Sequence, residues 1–366
     1  MKIAHIADTH LRQRQYGVPG RGDDFVTGLS NAIKKACKSG ASAIVAAGDI
    51  LDSSNPGSPV CITQLDKIQG LLVDLNIPMF VISGNHDKTS PSWCSRFDAV
   101  YDKTKIGIKC IDDMAIEFNG LKIVGVPYLS GSEMRDRLEN NSIPKGDILV
   151  WHGDIAEMSG FPPEGAITVA ELAKAKRWRV VAMGHIHIHD MRKKDGVIVA
   201  YPGSTELCES SEEFNKKFYM YDIGDKNTEI KVESIPFTTR AKQKFIINSE
   251  EELEEAISKF KKDSIIFVEY DESIKNCKNR LELAVTPKNI LKAVTKTCAS
   301  LTSKIIRAGD VGSPVAFLKE NICSLTDSPE RAKRIEGICT AVLSQNVDYT
   351  AAIEQFCDDR LKSITL

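Results

Sequence analysis

Along the first two hundred residues, short apolar runs rich in β-branched side chains alternate with amphipathic stretches. Residues 2–7, 43–47, 79–83, 121–126, 148–151, 180–183 and 197–200 read as strands. Between them, residues 25–38 and 61–75 place apolar side chains three to four apart, the spacing of surface helices. Runs this continuously apolar suit a sheet covered by helices, so the pattern predicts an α/β fold. An Asn119-Gly120 step between residues 115–118 and 121–126 predicts a hairpin, which makes the sheet mixed. Residues 218–223 and 229–235 add two further strands, and residues 236–240 mark a boundary. From 242 to 270 the order is strand, helix capped by Ser249 with Glu252 three residues later, then strand, as in a small α+β domain. Beyond residue 287 the strand signal vanishes. There Ile290, Leu291, Val294, Leu301, Ile305 and Ile306 form a helical stripe, with breaks at 309–314 and 327–329.

A length of 366 residues allows two or three domains at about 150 residues each. With 42% hydrophobic and 27% charged residues the chain is globular, neither disordered nor a disulfide scaffold. No apolar run approaches the roughly 18 residues of a membrane span, and the first ten residues read as a strand, not a signal peptide. The ten cysteines include no C-x-x-C pair, which favours reduced, intracellular thiols; Cys37, Cys61, Cys298 and Cys339 lie in helix-like apolar patterns. A net charge of −2 gives no field that attracts nucleic acid, so any polyanion site must be local or supplied by metal ions.

The chemistry sits where the strands end. Asp8 and His10 follow the first run, Gly48-Asp49 the second, Gly84-Asn85-His86-Asp87 the third, and Trp151-His152-Gly153-Asp154 and Gly184-His185-Ile186-His187 follow later ones. In α/β sheets, ligands collect in the crevice beyond the carboxyl ends of the strands. Carboxylate and amide oxygens combined with imidazole suit a first-row divalent ion such as manganese, or iron or zinc. Seven candidates at five strand ends exceed what one ion needs, which suggests two ions about 3.5–4 Å apart sharing a carboxylate. Any one of these histidines alone would more readily be a core residue; the joint pattern is what carries the argument. His5, inside the first strand, is assigned to packing, and His189 is peripheral.

The ordered set Asp8-x-His10, Gly48-Asp49-x-x-Asp52, Gly84-Asn85-His86-Asp87, His152 and Gly184-His185-x-His187 resembles the calcineurin-like metallophosphoesterase superfamily. Arg14-Gln15-Tyr16-Gly17 through Arg21 and Asp24-Phe25, with Tyr201-Pro202-Gly203-Ser204-Thr205-Glu206, resembles its Mre/SbcD nuclease branch. The resemblance implies a metallophosphoesterase β-sandwich flanked by helices (residues 1–237), a small α+β capping and DNA-binding domain (238–286) and a helical tail (287–366) that docks on a partner ATPase. It implies that Asp8, His10, Asp49 and His187 hold one manganese ion and that Asp49, Asn85, His152 and His185 hold the other, with magnesium as the alternative metal. His86 would protonate or hydrogen-bond the leaving oxygen. Asp52 either orients His86 or is a capping or solvent-facing acid. Arg12, Arg14, Arg21, Lys88 and Arg96 either contact the DNA strand or are solvated loop cations. Residues 215–217 depart from the family's usual glycine, Lys217 standing there.

The implied function is a manganese-dependent DNA exonuclease and endonuclease acting at DNA ends in repair, recombination or replication. It would be the nuclease subunit of a complex with an SbcC-like coiled-coil ABC-type ATPase, in the cytoplasm or on the nucleoid and off the membrane. A homodimer within a heterotetramer is implied, with residues 61–75 a candidate dimer helix. The chain has no P-loop, so ATP control would have to come from the partner. Two alternatives share the motif: a small-substrate phosphoesterase, for example on cyclic nucleotides, and a DNA-end scaffold that has lost catalysis. The second block and the extra length weigh against the first, and an intact ligand set with His86 weighs against the other.

Overall fold

The computed structural model describes residues 1–16, 20–53, 59–87, 106–160, 162–225, 228–285 and 289–295. Strands β1 (Lys2–Ile6), β2 (Ala43–Ala46), β3 (Pro78–Val81) and β4 (Gly107–Cys110) run parallel, and β11 (Lys217–Asp222) and β12 (Lys231–Pro236) join antiparallel, giving the order β12-β11-β1-β2-β3-β4. The second sheet, β5-β6-β7-β8-β10-β9, comprises β5 (Ala115–Phe118), β6 (Leu121–Val126), β7 (Ile148–His152), β8 (Val180–Gly184), β9 (Asp190–Lys194) and β10 (Val197–Tyr201). Both sheets are mixed. Asn119 and Gly120, both at positive φ, turn the β5–β6 hairpin, and Asp195 and Gly196 turn β9 into β10. Arg192, Lys193 and Lys194 therefore lie in an edge strand, where charges discourage pairing with another chain.

The sheets face each other across Ile3, Val45, Phe80, Ile123, Val150, Ala182 and Tyr221. Alternate residues of the first sheet pack outward on helices α1 (Arg21–Lys38) and α2 (Pro59–Asp74), and those of the second on α3 (Gly131–Glu139) and α4 (Val169–Ala175). Strands covered on both faces leave no polar alternation, which is why the runs were continuously apolar. Cys37 and Cys61 are partly buried, form no disulfide and pack against the first helix layer. His5 lies in the inter-sheet core, with Nδ1 2.8 Å from the Tyr221 hydroxyl and Nε2 3.0 Å from the Met183 carbonyl.

Two compact units are distinguished. The first takes in Met1–Phe245, Leu253–Val268 and Lys278–Ala293; the described parts of the second include Ile246–Glu252 and Glu269–Cys277. After β12 the chain forms β13 (Ala241–Ile247), α5 (Glu250–Ser258), β14 (Ser264–Tyr270), α6 (Cys277–Ala284) and β15 (Ile290–Thr295), with sheet order β13-β14-β15. Ser249 caps α5 by accepting the Glu252 amide. The helical stripe expected from Ile290 is corrected here: Ile290–Thr295 is a strand, and Ile290 packs with Leu207, Ile265 and Phe267. Ile290, Leu291 and Val294 fit either period over so short a run, and tertiary packing decides between them. Residues 296–366, with the rest of the expected stripe, lie outside the described residues.

Candidate metal centre

At the carboxyl end of β1 the backbone folds back on the end of β2. The Asp8 and His10 amides donate to the carbonyls of Gly48 and Asp49, and Asp8, His10 and Asp49 all adopt positive φ. His185, past β8, does the same. Four non-glycine residues in this region store strain of about 1–3 kcal/mol each, a cost that concentrates at functional sites. Asp87 draws the loops together by accepting the amides of Ile50, Leu51 and Gly84 at 2.9–3.0 Å. Glycine is required by close approach: Gly48 takes φ +84°, and a Cβ on Gly84 would lie 2.1 Å from Asp49 Oδ1.

The side chains converge on Asp49. Its Oδ2 lies 3.7 Å from His10 Nε2 and 3.5 Å from His152 Nε2, which puts it between two sets of donors. On one side His10 Nε2 and His187 Nε2 face each other at 3.0 Å. On the other, His152 Nε2 and His185 Nδ1 both point at Asn85 Oδ1, at 2.9 and 3.0 Å. Asp8 Oδ1 accepts the His185 amide at 3.0 Å, and its carboxylate, with His10 and Asp49, forms a fully buried ligand group; Asp49, His152 and His185 form a second.

This donor set calls for cations. Two imidazole nitrogens meeting at 3.0 Å pair as N–H···N when one ring carries its proton on Nε2, and would present two lone pairs to a cation when both carry it on Nδ1. Burial works against charge on His10 and lowers its pKa, which favours the neutral ring. Burial also opposes charge on His152, but the Asp49 and Asp8 carboxylates outweigh it and raise its pKa to about 9. Burial works against the Asp49 carboxylate too, yet His152 and His10 hold it well below the usual carboxylate range. The field of the pocket thus favours positive charge among its own histidines, and a pair of divalent ions fits the oxygen and imidazole donors. The outer ring nitrogens are held from outside: His152 Nδ1 donates to the Ala47 carbonyl at 2.7 Å, and His185 Nε2 lies 3.4 Å from Asp154.

His86 is exposed at the rim, its Nδ1 donating to the Asp52 carbonyl at 2.9 Å and its ring edge-on to His10. Contact with His86 thus comes from the Asp52 backbone, while its carboxylate pairs with Arg12 at 2.6 Å and lies 3.5 Å from His10 Nδ1. Arg12 sits over the Phe25 ring at the edge of this group, and Arg14 is exposed. Arg21, expected to contact substrate, is corrected: it is fully buried, paired with Asp24 and Glu206 and bonded to Gln15, with no surface to offer. Lys88 and Arg96 lie outside the described residues. His189 is peripheral, stacked on Tyr219 and bonded to the Pro202 carbonyl. Tyr128, whose ring lies 5.6 Å from that of His185, is a wall residue that sequence reasoning missed. Glu212, 2.9 Å from His187 Nδ1, was missed as well, its only signal being its place in a polar run after the 201–206 block.

The chain is 30% identical over 232 residues to the DNA double-strand break repair protein Mre11 of Archaeoglobus fulgidus, covering 58% of this chain and 52% of that one. To the protein of the same name from Methanosarcina mazei it is 31% identical, covering 64% and 38%, and to that of Saccharolobus solfataricus 27%, covering 68% and 67%. The chain thus spans only about half the length of the first two relatives. A family model for the calcineurin-like phosphoesterase superfamily domain matches residues 1–226, the stretch that supplies every side chain around Asp49, and the chain belongs to that superfamily.

Proposed function

We propose that this protein is a manganese-dependent DNA nuclease of the Mre11 type that hydrolyses phosphodiester bonds at DNA ends. The observation that carries the reading is the convergence of two donor sets on the Asp49 carboxylate, with an exposed histidine beside them. Asp8, His10, Asp49 and His187 are assigned to one ion, and Asp49, Asn85, His152 and His185 to the other. Bound divalent ions supply charge stabilisation for the phosphoryl group and lower the pKa of water. The chain's own residues do the rest. Asp49 holds the two donor sets in register. Asn85 contributes an oxygen that two histidines already face. His86, its Nδ1–H fixed on the Asp52 carbonyl, is left with Nε2 as the atom that carries a proton to the leaving oxygen. Arg12, clamped by Asp52, and exposed Arg14 are placed to meet phosphates of the strand.

Likeness to Mre11 repair proteins over 58–68% of the chain supports DNA over a small phosphoester as substrate, as does the α+β region that follows the phosphoesterase domain. The capping domain, the SbcC-like ATPase partner, a homodimer and an intracellular setting belong to the same proposal. No helix among the described residues is long and apolar enough to cross a membrane. The deciding experiment is cleavage of linear duplex DNA, with bis-p-nitrophenyl phosphate in parallel, across manganese, magnesium and zinc. Cleavage of the small diester alone would point to the small-substrate alternative. For the partner, a chain ending at Thr295 keeps β15 and is expected to retain diester hydrolysis while losing co-purification with the ATPase.

A further inference from the structure

His152 and His185 are steered by groups at the ends of sheet strands: the Ala47 carbonyl just past β2 of the facing sheet and the Asp154 carboxylate two residues beyond β7. His187 has no such neighbour. It lies three residues past β8, and its outer nitrogen meets Glu212, a residue of the loop between β10 and β11. That carboxylate is itself bound on every side. Oε1 accepts the amides of Cys208 at 3.1 Å and Glu209 at 2.8 Å in addition to His187 Nδ1–H. Oε2 accepts the Ser204 hydroxyl and the Lys216 ammonium, each at 2.5 Å, and Lys216 also donates to Ser204 at 2.9 Å. Glu212 and Lys216 are only 6% and 5% exposed, so two opposite charges have been taken out of water at the rim of the domain. Burying an ion pair is a weak way to stabilise a loop, since apolar residues of similar volume do as well or better.

We propose that Glu212 is the positioning residue for His187, resting on the di-metal reading above. Every other contact of the carboxylate is a donor, so it can only accept from the ring. The proton is thereby fixed on Nδ1, and Nε2 presents its lone pair to the centre, 3.0 Å from His10 Nε2. Lys216, Ser204 and the two amides fix the plane of the carboxylate, and through it the angle of the ring. A loop clamp alone would need Oε2 and the amides; it would not need the bond to His187.

The test is manganese binding by the full chain, stripped with chelator, followed by calorimetry and elemental analysis. The wild type should bind two ions; failure to do so would overturn the di-metal reading and not this inference. Glu212→Ala is expected to weaken one of the two ions by roughly 10–100-fold, the usual effect of losing an outer partner of a ligating histidine, and to leave the second unchanged. Glu212→Gln combined with Lys216→Met keeps an oxygen for Nδ1–H and removes the ammonium that would meet the amide's NH₂. It should bind both ions within about threefold of wild type. Unaltered affinity of both ions in Glu212→Ala, or a double variant as weak as Glu212→Ala, would overturn the assignment. If Glu212→Ala does not fold, Glu212→Asp takes its place with the same expected loss at one ion, because it keeps the charge and draws the carboxylate back from the ring.

Discussion

Two clusters of buried charge lie on either side of the segment that follows β10, and they are built on opposite principles. Around Arg21 each charge has its counter-charge. Glu206 meets Arg21 at 3.2 Å and Lys242 at 2.8 Å, and Asp24 meets Arg21 at 3.0 Å and Arg240 at 2.9 Å. Around Asp49 carboxylate and amide oxygens and imidazole nitrogens crowd together with no Lys or Arg among these described residues, and the backbone that carries them is strained. The first cluster pairs its charges within the protein, although Glu206 Oε2 is left without a hydrogen bond, and it ties β13 to the sandwich. The second offers groups that could hold metal ions. Burial and charge alone do not separate a site from a scaffold; the sign of what faces what does.

The sharpest way to break this comparison is to remove the shared carboxylate. Asp49→Ala should lose both ions by elemental analysis and drop diester hydrolysis to background. Manganese at about 100 times its Kd should stabilise the wild type by about 2.7 kcal/mol, and this gain should vanish in Asp49→Ala. Two tightly held ions in the variant would show that Asp49 does not bridge. Next in size, His86→Ala should slow single-turnover cleavage by roughly 10²–10⁴ while metal content is kept. A normal rate would remove His86 from the chemistry.

The other cluster should answer in stability and not in metal. Arg21→Ala breaks a buried pair and is expected to cost about 3–5 kcal/mol in denaturant unfolding, with both ions retained by whatever fraction is folded. Loss of metal from folded protein would mean that the two clusters are one. The smallest effect is on acid stability. Burial opposes the Glu206 carboxylate, but Lys242 and Arg21 more than compensate and hold its pKa below the ordinary value. The stability it contributes is therefore full above about pH 4.5 and is lost as the pH falls through its folded value. Glu206→Gln should flatten that limb by at most about 1.4 kcal/mol per pH unit, and parallel curves for the two proteins would refute the assignment.

Legibility in the sequence followed how local the cause was. Asp8, His10, Asp49, Asn85, His152, His185 and His187 could be read because each sits just past an apolar run, and the runs were plain because both faces of each sheet are covered. The edge of the small sheet could not be read. Ile290–Thr295 is too short for period alone to choose between strand and helix, and the packing of Ile290 on Phe267 makes the choice. Arg21 looked like a free cation beside the ligands; only the fold brings Glu206, 185 residues away, against it. Glu212 sits in a run as polar as any loop, and nothing in residues 209–217 announces that one of five acidic or basic neighbours turns inward to His187.

The place of β1 has a consequence for how the molecule comes to exist. It lies between β2 and β11, and the residue opposite Lys2 on β11 is Asp222. His10 and His187 are 177 positions apart. A chain emerging from the ribosome at about 5–20 residues per second would carry Asp8, His10 and Asp49 for some ten seconds or more before their partners were made. Over that interval the first strand has only β2 to pair with, and half the ligand set is missing. Contacts this distant in sequence also slow folding, because loop closure must precede any gain. The donor set around Asp49 is therefore complete only once β8 and the loop after it have been made, and a product that stops before His187 would lack part of it.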